Sequence, residues 1–550
     1  MGTELTPWPI SIAEKYQAEG IWAGVALGDI LNNALATTPD KTALIDGDRA
    51  WTYQQLHERA LQLAQGFLAQ GFTAGDKVVV QLPNTGEFFE VIFALFKIGA
   101  VPVMALPGHR QLEITYFCQL SKAKAYIIPA QYDGFNYENL AAKVVLDSDV
   151  QNVFVVGDAQ QFMPLFLLYL SEVDKALALP AVAASSLALL QLSGGTTNVP
   201  KLIPRSHDDY FYSVRQSNVV CELTESCIYL AALPVAHNFP LSSPGCLGVF
   251  YAGGTVVLAP NGSPDVAFAL MKQHRITHTA LVPPLIIAWL NAVKSHAHKD
   301  HADLTSLQVV QVGGAKLSEQ IAQKIKPELG CALQQVFGMA EGLVNYTRLN
   351  DDEKTINTTQ GKPMSPFDEV LVVDDYDNPV PLGESGHLLT RGPYTINGYF
   401  CAPEHNKTAF TADGFYRTGD IVRLTAAGYL QVEGRAKDQI NRGGEKISAE
   451  EVENQLLAHP HILDAALVGI SDDYLGERAC AFIRLKDASE PLNLPKLKQF
   501  LRQRGLAEYK LPDRLELLDD FPHSYVGKVN KKELSLQLIK TLALETKKQG

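Results

Sequence analysis

The first third of the chain alternates between the periodicities that mark helices and strands. Thr52 and Gln55 have the spacing of a capping box, and behind them apolar residues recur every three to four positions until Gly71. This pattern predicts a helix that ends at Gly71. The valine-rich run at 77–82 then predicts a buried strand. A helix over 85–97 and a strand over 101–105 repeat this order, which indicates a layered α/β architecture.

Later segments extend this pattern and then change it. Short apolar runs predict further buried strands at 125–128, 153–156, 228–233, 255–258, 279–282 and 307–312. From about 368 to 432 the apolar runs are shorter, and turn pairs such as Asp413-Gly414 and Ala427-Gly428 separate them. This spacing predicts a small β-rich subdomain, built as a barrel or as a sheet.

A domain boundary is predicted between Gly434 and Asp438, where a glycine and a polar cluster precede a new helical start at Ser448. The distribution of charge supports this division, because residues 437–550 hold 18 basic and 18 acidic residues while the whole chain holds 47 and 60. The acidic excess therefore lies entirely in the first part. We expect a large N-terminal domain over residues 1–436 and a small C-terminal domain over residues 437–550.

Composition and charge exclude several classes of protein. A chain of 550 residues with 46% hydrophobic and 19% charged residues is globular and long enough for several packing units. A net charge of -13 disfavours nucleic acid and anionic membrane surfaces as partners. The seven cysteines form no C-x-x-C pair, and the sequence has neither a leader-like start nor an apolar run long enough for a membrane span. We therefore expect a cytoplasmic protein.

The most informative segment is a small, hydroxyl-rich loop at 191–201, which directly follows an apolar run. Two glycines allow backbone N–H groups to approach an anion, hydroxyl groups donate to phosphate oxygens, and a lysine adds a full positive charge. This candidate phosphate-binding loop consists of Ser193, Gly194, Gly195, Thr196, Thr197 and Lys201. An ordinary polar loop between strands fits the same residues. The pattern differs from G-x-x-x-x-G-K-[ST], which disfavours a nucleoside triphosphatase of that type.

Two further segments carry candidate acidic residues. Glu341 stands among small residues close to Phe337, and one or two carboxylates together with phosphate oxygens are the ligands that Mg²⁺ takes beside a nucleotide. A glutamate that caps a helix is the alternative. Asp420 ends the segment 416–420 after a glycine, where an aspartate can accept both hydroxyl groups of a ribose. An ordinary turn fits that segment as well.

Taken together, these segments resemble the adenylate-forming superfamily, which includes acyl- and aryl-CoA ligases, adenylation domains of non-ribosomal peptide synthetases, and luciferases. Five motifs follow the order of that family over essentially the whole chain, at 193–201, 337–341, 416–420, 434–438 and 527–528. One departure is Asn198, where the family usually has glycine. Asparagine tolerates the left-handed conformation better than most residues, so we expect the loop to keep its shape.

The resemblance implies a nucleotide site for ATP and Mg²⁺ between the large domain and a small, mobile α+β domain. The phosphate-binding loop would hold the β- and γ-phosphates and Glu341 the Mg²⁺, while Asp420 and Arg435 would bind the ribose. The adenine would be lined by Gly314, Ala315, Gln335 and Phe337. Lys528 is the implied catalytic residue, since a lysine that bridges the carboxylate and the α-phosphate stabilises the charge of the transition state.

Within the superfamily, the segment 233–245 resembles the aryl-acid-activating enzymes of siderophore pathways, in particular the 2,3-dihydroxybenzoate:AMP ligases. Amino-acid-activating relatives place an aspartate at the position of Asn238 to bind the α-ammonium group, and a neutral amide cannot form that ion pair. Asn238 can instead serve the ortho-hydroxyl of an aromatic acid. In salicylate-selective relatives a cysteine tends to stand in place of Ser243, so the serine favours an acid with a 3-hydroxyl. The implied substrate pocket consists of His237, Asn238, Phe239, Ser243, Val336 and Val344.

The resemblance also implies an acceptor for the activated acid. The second half-reaction of these relatives moves the aryl group from AMP to the phosphopantetheine thiol of a carrier protein, after the small domain rotates about a hinge. Lys437 occupies the hinge position. The sequence ends 22 residues beyond Lys528 without a carrier domain, so we expect an aryl carrier protein to act in trans.

The sequence leaves three functions open. The first is an aryl acid adenylating enzyme with a carrier-protein acceptor, and the second is an aryl- or acyl-CoA ligase that uses free coenzyme A. The third is a non-catalytic adenylate-binding protein, which the joint presence of Glu341, Asp420 and Lys528 disfavours. Salicylate is the alternative to 2,3-dihydroxybenzoate as the acid.

Overall fold

The computed structural model describes residues 4–169, 178–193, 200–295, 303–442, 445–472, 475–487, 492–504, 506, 508–523 and 529–549. Strands and helices alternate through most of this length. The strands of the described residues form two large sheets, a four-stranded sheet, a five-stranded sheet and a two-stranded sheet.

Strands and helices are numbered separately in chain order. The strands are β1 (Thr42–Asp46), β2 (Arg49–Thr52), β3 (Lys77–Val80), β4 (Val101–Met104), β5 (Ala125–Pro129), β6 (Gln131–Tyr132), β7 (Phe135–Asn136), β8 (Asn152–Val156), β9 (Met163–Pro164), β10 (Leu187–Leu192), β11 (Leu202–Ser206), β12 (Ile228–Ala231), β13 (Thr255–Leu258), β14 (His278–Leu281), β15 (Val309–Gly313), β16 (Ala332–Gly338), β17 (Val344–Tyr346), β18 (Lys362–Pro363), β19 (Glu369–Val373), β20 (Ser385–Arg391), β21 (Tyr416–Leu424), β22 (Leu430–Arg435), β23 (Gln439–Arg442), β24 (Glu445–Ser448), β25 (Ile462–Asp472), β26 (Gly476–Leu485) and β27 (Arg514–Leu517). The helices are α1 (Ile10–Ala18), α2 (Asn32–Thr37), α3 (Tyr53–Ala69), α4 (Gly86–Ile98), α5 (Gln111–Ser121), α6 (Tyr137–Leu146), α7 (His207–Cys221), α8 (Asn238–Ser242), α9 (Gly245–Ala252), α10 (Pro264–His274), α11 (Pro283–Lys294), α12 (Glu319–Leu329), α13 (Glu353–Thr358), α14 (Pro403–Ala409), α15 (Ala449–Leu457), α16 (Leu494–Gln503) and α17 (Lys531–Gln549).

The nine-stranded sheet positions the candidate site. Its strands run in the order β18-β17-β16-β15-β14-β12-β13-β1-β2, and the strands from β16 to β1 are parallel neighbours. Parallel strands point their carboxyl ends to the same edge of a sheet, so the loops that follow β12, β15 and β16 lie at one edge. The seven-stranded sheet has the order β11-β10-β4-β3-β5-β8-β9 and ends in the antiparallel hairpin of β10 and β11.

A shared apolar core joins the two large sheets. Phe67 of α3 and Phe93 of α4 belong to the same buried cluster as Val80 of the seven-stranded sheet and Val256 of the nine-stranded sheet. Full burial of such a side chain contributes about 1.5–3 kcal/mol. This cluster therefore fixes the two sheets relative to each other.

The predicted capping box begins α3. The Thr52 hydroxyl accepts from the Gln55 N–H at 3.1 Å, and the Gln55 side chain accepts from the Thr52 N–H at 2.9 Å. Two donors that the helix leaves unpaired are thereby satisfied. The helix predicted over 85–97 corresponds to α4, for which Thr85 is the N-cap residue.

The predicted strands are present with small shifts at their ends. The strand predicted at 255–258 coincides with β13, whereas the strand predicted at 228–233 ends at Ala231. The Ala232 N–H donates to the Leu230 carbonyl at 3.1 Å, and the Asn84 amide donates to the Ala231 carbonyl at 3.1 Å, so the chain leaves the ladder after Ala231.

The later part of the chain forms two smaller sheets. β19, β20, β21 and β22 form an antiparallel sheet, so the predicted β-rich subdomain is confirmed as a sheet rather than a barrel. The five-stranded sheet contains β23 to β27 and packs with α15 and α16 around its own apolar cluster. The predicted α/β fold class is confirmed by these elements, and the boundary between residues 436 and 437 stays a prediction. No helix in the described ranges is both long and apolar enough to cross a membrane.

Candidate active site

β10 and β11 flank the predicted phosphate-binding loop. The Ser193 N–H donates to the Lys201 carbonyl at 3.0 Å, and the Lys201 N–H donates to the Ser193 hydroxyl at 2.9 Å. These two bonds close the base of the loop. The Lys201 ammonium lies 5.7 Å from the centre of the Tyr399 ring, within cation–π range. The remaining predicted phosphate ligands fall outside the described residues, namely Gly194, Gly195, Thr196 and Thr197.

Glu341 lies in the loop between β16 and β17, at the carboxyl edge of the nine-stranded sheet. The residue is 8% exposed, and the Tyr399 hydroxyl donates to its Oε1 at 2.8 Å. Burial and the neighbouring Glu341 carboxylate raise the pKa of Tyr399, so this hydroxyl stays protonated and donates. Among the described residues, no hydrogen bond uses Glu341 Oε2. The carboxylate is therefore oriented through one oxygen and retains the other for a ligand.

The backbone of this loop is fixed by contacts on both sides of Glu341. The Arg205 guanidinium donates to the Ala340 carbonyl at 2.8 Å and is paired with Asp209 at 2.7 Å. At Gly342, which has φ +155°, a Cβ atom would lie 2.5 Å from the Thr395 Cα. Only glycine fits this close approach. The conformation of the loop is thus set by the surrounding side chains rather than by its own sequence alone.

Asp420 and Arg435 face each other on the neighbouring strands β21 and β22. The Arg435 Nε lies 2.7 Å from Asp420 Oδ1, and the Asp420 side chain is 4% exposed. Burial is the largest single influence on the pKa of Arg435 and would lower it, but the negative charges of Asp420 and of its other acidic neighbours together raise this pKa. The guanidinium of Arg435 therefore stays protonated throughout the physiological pH range.

Gly314 and Ala315 follow β15 at the same edge of the nine-stranded sheet. Gly314 has φ +82°, which a glycine adopts without strain. The next residue, Lys316, donates from its ammonium to the Val432 carbonyl at 2.6 Å. This bond holds the loop beside β22, the strand that carries Arg435.

Gln335 and Phe337 lie on β16, one residue to either side of Val336. The Gln335 amide donates to the Ile356 carbonyl at 2.7 Å and accepts from Gln360 at 3.3 Å, so its polar atoms are used within the protein. The Phe337 ring packs against the apolar cluster of the four-stranded sheet. The role of the four predicted adenine residues stays a prediction.

The polar residues of the predicted acid pocket lie after β12. Asn238 begins α8 and is 8% exposed, and its Oδ1 accepts from the Tyr210 hydroxyl at 2.8 Å. His237 caps the same helix, because its Nδ1 accepts from the Phe239 N–H at 3.2 Å. Ser243 is buried and lies beside the Tyr346 hydroxyl.

The apolar residues of the pocket come from α8, β16 and β17. Phe239, Val336 and Val344 belong to one buried cluster. The Phe239 ring packs against the backbone at Gly313, where a Cβ atom would lie 3.1 Å from two ring carbons. Val336 pairs across the ladder with Tyr346, which adjoins Ser243. The structure therefore brings the predicted pocket residues together at the carboxyl edge of the sheet.

The sequence predicted two functional residues in the C-terminal part, Lys528 and Lys437. Lys528 falls outside the described residues. Lys437 lies in a short 3-10 helix, Ala436–Asp438, which connects the four-stranded sheet to the five-stranded sheet. Its role as a hinge stays a prediction.

Three residues that organise the site were not identified from the sequence, namely Arg205, Tyr210 and Tyr399. They contact residues that lie 135, 28 and 58 positions away in the chain. For Arg205, the signal was an opposite charge only four positions away, at Asp209. For the two tyrosines, the local sequence carries no comparable signal.

Comparison with known proteins agrees with this geometry. Residues 31–400 match the family model of the AMP-binding enzyme, and residues 451–528 match that of the AMP-binding enzyme C-terminal domain. The chain is 58% identical to a 2,3-dihydroxybenzoate-AMP ligase of Bacillus subtilis, with 96% of each chain covered. It is 52% identical to a vibriobactin-specific 2,3-dihydroxybenzoate-AMP ligase of Vibrio cholerae, with 97% of this chain and 98% of the relative covered.

A solved structure extends the comparison to the fold. The apo structure of Mycobacterium smegmatis MbtA has a TM-score of 0.75 and 44% sequence identity, and the match covers 97% of this chain and 99% of that chain. These findings confirm the resemblance to the adenylate-forming superfamily that the five motifs indicate. The chain belongs to the AMP-binding enzyme family.

Proposed function

We propose that this chain activates 2,3-dihydroxybenzoate with ATP to form the aryl adenylate and pyrophosphate. In a second step it transfers the aryl group to the phosphopantetheine thiol of an aryl carrier protein in siderophore biosynthesis. The observation that carries the proposal is that the pocket contains two buried, neutral polar side chains, Asn238 and Ser243, beside apolar residues. The names of the relatives at 58% and 52% identity support the choice of acid.

The pocket offers one polar partner for each hydroxyl of this acid. The Asn238 amide would form a hydrogen bond with the 2-hydroxyl, and the Ser243 hydroxyl would form one with the 3-hydroxyl. Phe239, Val336 and Val344 would surround the ring and exclude water. Because Asn238 is neutral, it cannot pair with the ammonium group of an amino acid, so the pocket favours an acid without an amine.

In the first half-reaction, a carboxylate oxygen of the acid attacks the α-phosphorus of ATP. The bond from that phosphorus to the bridging oxygen breaks, and pyrophosphate leaves. The phosphate-binding loop would hold the β- and γ-phosphates, and Asp420, fixed by Arg435, would accept the ribose hydroxyls. Lys528 would stabilise the charge that develops at the α-phosphate, and such a preorganised donor contributes about 10²–10³ in rate.

The residues around Glu341 fit Mg²⁺. A buried carboxylate with one oxygen outside the hydrogen bonds of the described residues, completed by phosphate oxygens, is a ligand set that this ion takes. Glu341 would hold the ion, and Tyr399 would keep the carboxylate oriented. When bound, the ion neutralises phosphate charge and stabilises the leaving pyrophosphate.

In the second half-reaction, the thiolate of the carrier attacks the acyl carbon of the adenylate. A thioester bond forms, the bond to the phosphate oxygen of AMP breaks, and AMP leaves. Rotation about Lys437 would exchange the groups that the C-terminal domain presents to the site. ATP and a reduced thiol acceptor are both available in the cytoplasm, where we propose that the enzyme acts.

The test is ATP–pyrophosphate exchange with 2,3-dihydroxybenzoate, salicylate, benzoate, an amino acid and a fatty acid, followed by transfer of a labelled aryl group. We expect the highest kcat/KM for 2,3-dihydroxybenzoate, and transfer to a phosphopantetheinylated aryl carrier protein but not to free coenzyme A. A preference for an amino acid or a fatty acid would overturn the choice of substrate. Efficient thioester formation with free coenzyme A would instead identify a CoA ligase.

A further inference from the structure

The orientation of the Asn238 amide is set from the protein side. Its Oδ1 accepts from the Tyr210 hydroxyl at 2.8 Å and is approached by the Ser242 hydroxyl at 3.3 Å. No hydrogen bond among the described residues uses Asn238 Nδ2, although the residue is only 8% exposed. The acceptor Oδ1 is therefore used within the protein, and the donor Nδ2 is left to bind a ligand.

The Tyr210 hydroxyl is itself fixed as a donor. Tyr210 lies on α7, is fully buried, and its oxygen accepts from the Gln191 amide at 3.3 Å. The Arg205 guanidinium lies 4.8 Å from the centre of the Tyr210 ring and holds the ring in place. With an incoming hydrogen bond from Gln191, the hydroxyl hydrogen is directed to Asn238.

We propose that Tyr210 is a positioning residue that fixes the Asn238 amide with Nδ2 toward the bound acid, and thereby selects acids with a hydrogen-bond acceptor at the ortho position. This inference rests on the proposed function. The 2-hydroxyl of salicylate donates its own hydrogen to the adjacent carboxylate, so its oxygen is left to accept from Nδ2. The nitrogen of 2-aminobenzoate is a poor acceptor, because its lone pair is delocalised into the ring.

Removal of the Tyr210 hydroxyl would release the amide. An amide rotated by 180° presents Oδ1 to the ligand, and this orientation suits an amine donor rather than a hydroxyl acceptor. In the native pocket that orientation would set Nδ2 against the Tyr210 hydroxyl, and the hydroxyl hydrogen would lose its acceptor. The Tyr210 hydroxyl thus favours one of the two orientations of the Asn238 amide, the one that presents Nδ2 to the ligand.

The experiment compares Tyr210→Phe with the wild type in kcat/KM for salicylate, 2-aminobenzoate and benzoate. We expect the ratio of salicylate to benzoate to fall about five- to tenfold, the effect of one hydrogen bond. The ratio of 2-aminobenzoate to benzoate should stay the same or rise. The matched control is Tyr212→Phe, which removes another buried hydroxyl that pairs with Ser365 at 2.7 Å and should leave both ratios unchanged.

The outcomes separate this inference from the proposed function. Equal losses for all three acids in Tyr210→Phe, or unchanged ratios, would overturn the inference while the adenylation activity stands. Failure of the wild type to exchange with any benzoate would overturn both. If Tyr210→Phe does not fold, Gln191→Leu removes the hydrogen bond that directs the Tyr210 hydroxyl to Asn238, and a smaller fall of the salicylate ratio is expected. An unchanged ratio in that variant would then overturn the inference.

Discussion

The hydroxyl of Tyr399 donates a 2.8 Å hydrogen bond to the carboxylate of Glu341, across 58 positions of the sequence. The same hydroxyl lies 2.8 Å from that of Tyr416, on the strand that carries Asp420. Its ring also faces the Lys201 ammonium at 5.7 Å. One buried side chain therefore contacts the candidate metal ligand, the lysine of the phosphate-binding loop and the strand of the candidate ribose ligand.

The first prediction follows from this contact. Tyr399→Phe should raise the Mg²⁺ concentration for half-maximal pyrophosphate exchange about tenfold, because partners that orient a metal ligand typically contribute that much to affinity or activity. The KM for the aryl acid should change little. Tyr53→Phe, which removes a fully buried hydroxyl bonded to the Gly254 carbonyl, is the matched control. An unchanged Mg²⁺ dependence in Tyr399→Phe would contradict the orienting role.

The second prediction concerns Lys528. Lys528→Ala should lower adenylate formation by about 10²–10³, since a preorganised charge at the reacting phosphate would be lost. ATP binding should persist, because the other proposed nucleotide ligands lie before residue 437. Lys532→Ala, at an exposed position of α17, should behave as the wild type. Exchange close to the wild-type rate in Lys528→Ala would refute the assignment.

The third prediction concerns the connection at Ala436–Asp438. Lys437→Pro should reduce aryl transfer to the carrier protein much more than adenylation, because a proline fixes φ and restricts rotation between the two states. The two half-reactions are measured separately, by pyrophosphate exchange and by thioester formation. Equal losses in both would argue against a hinge at this position.

The fourth prediction concerns Asp368, whose Oδ1 is buried and whose Oδ2 accepts from the Tyr394 hydroxyl at 2.7 Å. Burial raises the pKa of this carboxyl group to about 8, although the bonds from Tyr394 and Ser365 oppose the shift. A raised folded-state pKa means that the folded chain holds a proton that the unfolded chain releases. Its contribution to stability is therefore full below about pH 4 and is lost as the pH rises to about 8.

Asp368→Asn removes this titration. Relative to the wild type, the unfolding temperature of the variant should rise between pH 5 and pH 8, when the two proteins are compared in the same buffers. The control is Asp48→Asn, at an exposed turn, whose unfolding temperature should differ from that of the wild type by a constant amount over that range. If the unfolding temperatures of Asp368→Asn and the wild type differ by a constant amount, the Asp368 carboxyl group does not titrate between pH 5 and pH 8.

Contacts within a few residues could be predicted from the sequence, whereas contacts between elements could not. The capping box of Thr52 and Gln55 depends on local spacing, and the structure forms it as predicted. The contact of Tyr210 with Asn238 depends instead on how α7 packs against α8, and no periodicity encodes that packing. Residue patterns indicated the phosphate-binding loop, Glu341 and Asp420, and the family resemblance added the other predicted site residues. Neither source identified Arg205, Tyr210 and Tyr399, whose hydrogen bonds orient the site residues.

The last prediction concerns the choice of acid. 2,3-Dihydroxybenzoate should be preferred over salicylate about tenfold or more in kcat/KM, because salicylate leaves the buried Ser243 hydroxyl without its ligand partner at a cost of about 1–3 kcal/mol. Ser243→Cys should narrow this preference, since a thiol is a weak hydrogen-bonding group and only the 3-hydroxyl contact is weakened. Ser121→Cys, a change at another buried serine, on α5, should leave the preference intact. Asn238→Asp should instead reduce exchange with both acids, because it sets a carboxylate against an anionic substrate. If Ser243→Cys retains the full preference for the dihydroxy acid, then Ser243 is not the partner of the 3-hydroxyl, and the proposed orientation of the ring in the pocket is wrong.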